Sequence, residues 1–122
     1  MVSLDAESGG LLVLRFGPPY APDDENAYLE ALDAIGARAA PFALLAMFGG
    51  RGRLSPAGER RQALWFKRTR ARMEARCRAL AIVRPGDPGG SAEVFRRLWS
   101  FPVVVAASEA EGRAFLVAQQ PP

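Results

Sequence analysis

Two uninterrupted apolar runs constrain this chain most: Phe42 to Phe48, reading FALLAMF, and Ala79 to Val83, reading ALAIV. A strand with one wet face alternates apolar and polar residues, so runs without alternation belong to strands covered on both faces, as in a parallel sheet. Between them, Ser55 is a good N-cap residue because its hydroxyl accepts from a free backbone N–H, and Pro56 suits the first helical position, where its missing N–H costs nothing. The spacing therefore predicts a long helix starting at Pro56. Strand, helix and strand in that order imply a crossover and a sheet with helices packed on it.

The flanking sequence extends this alternation. Val2, Leu4 and Ala6 alternate with polar residues, Gly9-Gly10 supplies a reversal, and Leu11 to Phe16 is a second apolar run, which together read as a β-hairpin. Gly17-Pro18-Pro19 stops that strand. Asp23 or Asp24 can cap a helix over Asp24 to Arg38, with Tyr28, Ala31, Leu32 and Ile35 as its apolar stripe. Arg84 to Gly90 is rich in breakers, Ser91 caps a short helix carrying Val94, Phe95, Leu98 and Trp99, and Val103 to Ala107 is a strand. Ser108 and Glu111 form a capping box for a last helix holding Ala114, Phe115 and Leu116. The result is one α/β domain over residues 1–118, with a four-residue tail at 119–122. It has a mixed, mostly parallel sheet of about five strands, an N-terminal hairpin and about four helices. At 122 residues and 49% hydrophobic, the chain can bury a core without staples.

Charge is concentrated in one place. Residues 1–50 hold two cations against seven acids, residues 51–78 hold ten against two, and residues 79–122 hold four of each. On the long helix, Ala63, Phe66, Met73 and Cys77 share a predicted packing face, with Arg61, Trp65, Arg68, Arg72 and Arg76 as a neighbouring row. Such a patch attracts phosphate, an acidic protein surface or anionic lipid, and it is equally compatible with a solvated face. Lys67 is the single lysine, so the arginine bias can also reflect GC-rich coding.

The element order, the opening hairpin, the phrase from Arg61 through Ala63, Trp65 and Lys67 to Cys77, the strand ALAIV, Phe101 to Val105 and the capped EAEGRAFL helix together resemble STAS-like proteins. These are relatives of anti-sigma-factor antagonists in the SpoIIAA-like superfamily. The resemblance implies a bacterial α/β domain engaged in protein-protein signalling, sometimes in ligand sensing, and not in turnover. It also implies a candidate phosphosite at Ser55, the matching position at the start of the helix after the third strand. A phosphate there would meet a helix N-terminus and Arg51, Arg53 and Arg60. The loop FGGRGRLSPAGER departs from the family's Asp-Ser-Ser-Gly type of signature, and Ser55 also reads as a plain N-cap.

Enzymatic chemistry finds little support. There is no histidine, so the usual general base and the commonest metal ligand are missing. Cys77 lies on the apolar face and reads as a core residue. Asp23, Asp24 and Glu25 are accounted for by the positive end of their helix, so no metal site, cofactor site or catalytic residue is expected. Gly49 to Arg53 follows a strand and precedes a helix, where anions bind, but it matches neither nucleotide-loop pattern. Trp65 among arginines could stack on a base, shield the helix-sheet seam or anchor a protein interface. The leading expectation is a non-enzymatic interaction domain that binds a partner protein, or a second copy as a homodimer, through Arg51, Arg53, Trp65, Arg68 and Arg72. The alternative is a site for a small anionic or lipid-like ligand at the 49–55 and 84–90 loops. Nucleic acid is not the expected ligand. The start MVSLDAESGG has no secretory pattern and no run reaches membrane-span length, so a cytoplasmic location is expected.

Overall fold

The computed structural model describes residues 1–49, 54–84 and 99–120. Five strands form one sheet in the order β1-β2-β3-β4-β5. β1 (Val2–Glu7) pairs antiparallel with β2 (Leu11–Phe16), Val2 facing Phe16 and Glu7 facing Leu11. β3 (Phe42–Phe48), β4 (Cys77–Val83) and β5 (Val103–Ala106) then add in parallel. The β1–β2 turn places Gly9 and Gly10 at φ +81° and +75°, a left-handed conformation that residues with a Cβ resist.

Three helices lie among the described residues: α1 (Asp24–Gly36), α2 (Pro56–Arg76) and α3 (Glu109–Ala118). The short helix expected to follow Ser91 falls outside the described residues except for Trp99, which is buried and non-helical. α1 and α2 cover one face of the sheet, where Leu14, Leu44 and Ile82 meet Tyr28, Ile35, Trp65 and Met73. α3 covers the other, where Leu116 packs among Leu45, Ala81 and Val83. β3 and β4 are therefore wrapped on both sides, which is why neither shows polar alternation.

α3 contacts β3, β4 and β5. Towards β1 and β2 that face carries a chain of ion pairs. Arg113 grips Glu7 through two bonds of 2.9 and 3.0 Å and bonds Glu109 at 2.8 Å, and Glu109 lies 3.5 Å from Arg15. The Ser108 hydroxyl accepts from Glu111 N–H at 3.2 Å, as the capping box requires, but Glu111 reaches back to the Ala107 amide rather than to that of Ser108.

The packing face of α2 agrees only in part with the one its apolar residues suggest: Met73 is buried and Phe66 packs half-buried against the core. Its inward seam runs through Gly58, Gln62, Trp65, Thr69 and Met73, at intervals of four, three, four and four. Ala63 is exposed, and Cys77 opens β4 instead of extending the helix. The reason is proximity to α1: Gly58 stands against Glu25 and Thr69 against Gly36, beside the larger Trp65 and Met73, while Leu64 and several alanines face outward, so hydrophobicity alone cannot find the buried side.

Candidate binding surface on α2

α2 starts where its sequence predicts. Ser55 is the N-cap, its hydroxyl accepting from Gly58 N–H at 3.0 Å, with Pro56 in the first turn. The rest of that cap comes from α1. The Glu25 carboxylate accepts from the Ser55 N–H and, at 2.8 Å, from the Ser55 hydroxyl. A Cβ on Gly58 would stand 2.7 Å from that carboxylate, so a larger residue there would push the Glu25 side chain aside. Glu25 places a negative charge at the positive end of α2, where an incoming anion would otherwise bind.

This arrangement weighs against the phosphosite expectation. A phosphate on Ser55 would lie against the Glu25 carboxylate, and the resulting repulsion would pull the helix start apart. Ser55 is an N-cap whose hydroxyl is already used twice. Arg51 and Arg53, expected beside it, lie outside the described residues.

Trp65 requires a correction. It is 3% exposed, packed edge-on to Phe66 at a centroid distance of 5.3 Å, and its Nε1 has no hydrogen-bond partner among the described residues. It belongs to the α1–α2 seam and presents no ring to a partner. The arginine row divides in the same way. Arg61 is spent on Asp33 at 2.9 Å and Asn26 at 3.3 Å, and Arg76 on the Arg38 carbonyl at 3.1 Å. Arg68 and Arg72 remain outward, joined by Arg60, Lys67 and Arg70, which lie outside the row that helical spacing predicts. Among the described residues no carboxylate forms a salt bridge with any of these five.

Two concavities adjoin the helix. The outer one, about 270 Å³, is bounded by Ala63, Phe66, Lys67, Arg70 and Trp99. The inner one, about 100 Å³, lies between α2, α1 and the sheet, lined by apolar side chains that include Leu14, Phe48 and Ile82. Its polar groups are Gln62, Tyr28 and Arg84. Tyr28 donates to Gln62 at 2.6 Å, and Arg84 lies over the Phe48 ring at 5.1 Å. Burial pushes the Tyr28 hydroxyl up to about 12, so it stays protonated and donating. β3 and β4 are parallel, so Gly49 and Arg84 emerge at the same end of the sheet, whereas residues 50–53 and 85–90 of the two loops expected to hold a ligand lie outside the described residues.

The wall formed by Trp99 is braced from α2. Trp99 stacks on Phe101 at 5.2 Å and meets Phe66 at 5.4 Å. The Glu74 carboxylate accepts from the Ser100 hydroxyl and, at 2.8 Å, from the Ser100 N–H. The hydroxyl, then the amide, hold the Glu74 carboxyl below its ordinary 4.5. A carboxylate lowered in the folded state contributes stability that is complete above the unfolded value and disappears as pH falls through the folded one. Titration from roughly pH 6 to pH 3 is therefore expected to show a step in tryptophan emission that lies below pH 4.5 and is missing in Glu74→Gln. An identical step in the variant would detach it from this brace.

Cys77 is buried, its Sγ lies 3.4 Å from the Ala79 carbonyl, and burial pushes the thiol up to about 12. It is a core residue without thiolate character. Among the described residues no cluster of carboxylates and thiols is set to hold a metal, and no helix is long and apolar enough to cross a membrane. No protein-family model, curated protein or solved structure matches the chain.

Proposed function

We propose that the protein is a non-enzymatic binding domain that docks an acidic partner protein on the outer face of α2. The observation that carries this reading is the exposure of Arg60, Lys67, Arg68, Arg70 and Arg72 along one 21-residue helix, without a carboxylate partner among the described residues. The likeness in element order to STAS-like proteins supports partner binding over turnover, and the lack of histidine and the protonated Cys77 support it from chemistry. Contacts come from charge, with Arg68 and Arg72 as expected from sequence and without Trp65 as an anchor. A second copy would bring the same cations to a two-fold contact, so this face favours a partner of opposite charge over a homodimer.

Arg68→Glu/Arg72→Glu is expected to weaken binding of a fluorescent polyglutamate probe by roughly tenfold or more, with unchanged circular dichroism, and raising the salt concentration is expected to weaken the wild type likewise. Equal affinity in variant and wild type would sink the reading.

The inner cavity favours a second reading, a site of about 100 Å³ for a short-chain carboxylate whose anionic group meets Arg84 beside Tyr28 and Gln62. A thermal shift with butyrate that Arg84→Ala removes is its signature; no shift in the wild type dismisses it.

A further inference from the structure

We infer that the outer depression beside α2 receives one apolar or aromatic side chain of the partner, whose flanking carboxylates meet Lys67 and Arg70. This rests on the acidic-partner reading above and adds what the partner must carry.

The lining follows from helix spacing. Ala63, Phe66, Lys67 and Arg70 stand at i, i+3, i+4 and i+7, so they share one flank of α2. Ala63 leaves room, Phe66 and Trp99 supply apolar walls, and the two cations supply the rim. No carboxylate is found among the described lining residues. The walls are pre-set: Phe66 packs on both Trp65 and Trp99, and Trp99 is fixed by Phe101 and by the Glu74–Ser100 contact. A preformed pocket receives an anchor without the ordering cost that weakens flexible sites.

Size and exposure select the class of partner. At about 270 Å³ the depression has room for one large side chain. Single-stranded nucleic acid binds by stacking bases on open ring faces, and Trp99 is only 7% exposed. An interfacial helix needs a broad apolar face, and the outer face of α2 offers one large apolar residue, Leu64. Cationic rim and apolar floor together fit an acidic peptide segment with one large hydrophobe in it.

The test uses two fluorescein-labelled heptapeptides, six glutamates around a central phenylalanine or a central alanine, with anisotropy read on the whole chain. The phenylalanine peptide is expected to bind roughly tenfold tighter. Ala63→Phe, at an exposed helix position, fills the depression and is expected to erase that difference while keeping the affinity for the alanine peptide. Lys67→Glu/Arg70→Glu is expected to weaken both. Equal binding of the two peptides by the wild type would overturn the anchor and leave the acidic-partner reading standing, whereas binding of neither would overturn both. Tighter binding of a single-stranded RNA oligomer or of phosphatidylserine vesicles than of the phenylalanine peptide would also overturn it.

Discussion

Trp65→Ala is expected to destabilise the fold by about 3–5 kcal/mol, the range for removing a large aromatic from a close-packed core. The residue is 3% exposed and packs where α1, α2 and the sheet converge, with Phe66 against its edge. Denaturant unfolding followed by circular dichroism measures the loss directly, and a lower midpoint with an unchanged slope is the expected form. Trp65→Phe should cost much less. It keeps an aromatic ring in the seam and removes an indole N–H that has no partner among the described residues, whose burial is itself unfavourable. The pair of variants also separates fold from function: Trp65→Phe is expected to retain polyglutamate binding, because the exposed cations of α2 stay where they are. A loss of binding in Trp65→Phe at wild-type stability would return Trp65 to the recognition surface.

Gly36→Ala is expected to destabilise by about 1–3 kcal/mol, in spite of the better helix propensity of alanine. A Cβ at Gly36 would sit 2.7 Å from Thr69 Cγ2 and 3.0 Å from Trp65 Nε1. Neither neighbour yields easily, since threonine is stiff at its β-carbon and the indole is enclosed. The obstructing methyl belongs to Thr69 alone, so Thr69→Ser should relieve much of the clash while keeping the hydroxyl that donates to the Trp65 carbonyl at 2.7 Å. In a double-mutant cycle the two changes should therefore couple favourably, with the double variant more stable than the sum of its parts. Strict additivity would show that the Trp65 indole, not the threonine methyl, resists the new carbon.

These residues show where sequence reading of this chain succeeds and where it stops. FALLAMF and ALAIV reveal strands buried on both faces because runs this short, without alternation and closed by Gly49-Gly50 and Pro85-Gly86, fit a covered strand better than a helix. Ser55-Pro56 and Ser108 reveal helix starts because capping is local, decided within a few residues. The inward side of α2 was not legible in the same way. Its buried seam contains a glycine, a glutamine and a threonine, while Leu64 and Ala63 face water, and that choice depends on how closely α1 passes. Glu25 was missed for a related reason. An acid near a helix start is explained by its own helix, and nothing local shows that it reaches across to cap another. On the α2 surface, the outward placement of Arg68 and Arg72 was legible from charge density, whereas the grouping of Lys67 and Arg70 with Phe66 and Trp99 depends on the fold.

The strand order has one more consequence. Each strand pairs with its nearest predecessor in the chain, so no segment must wait for a distant one before it can be laid down. A polypeptide of this kind can add its sheet sideways, one unit at a time, as it leaves the ribosome. Each newly completed strand meanwhile offers an open edge that the next strand covers.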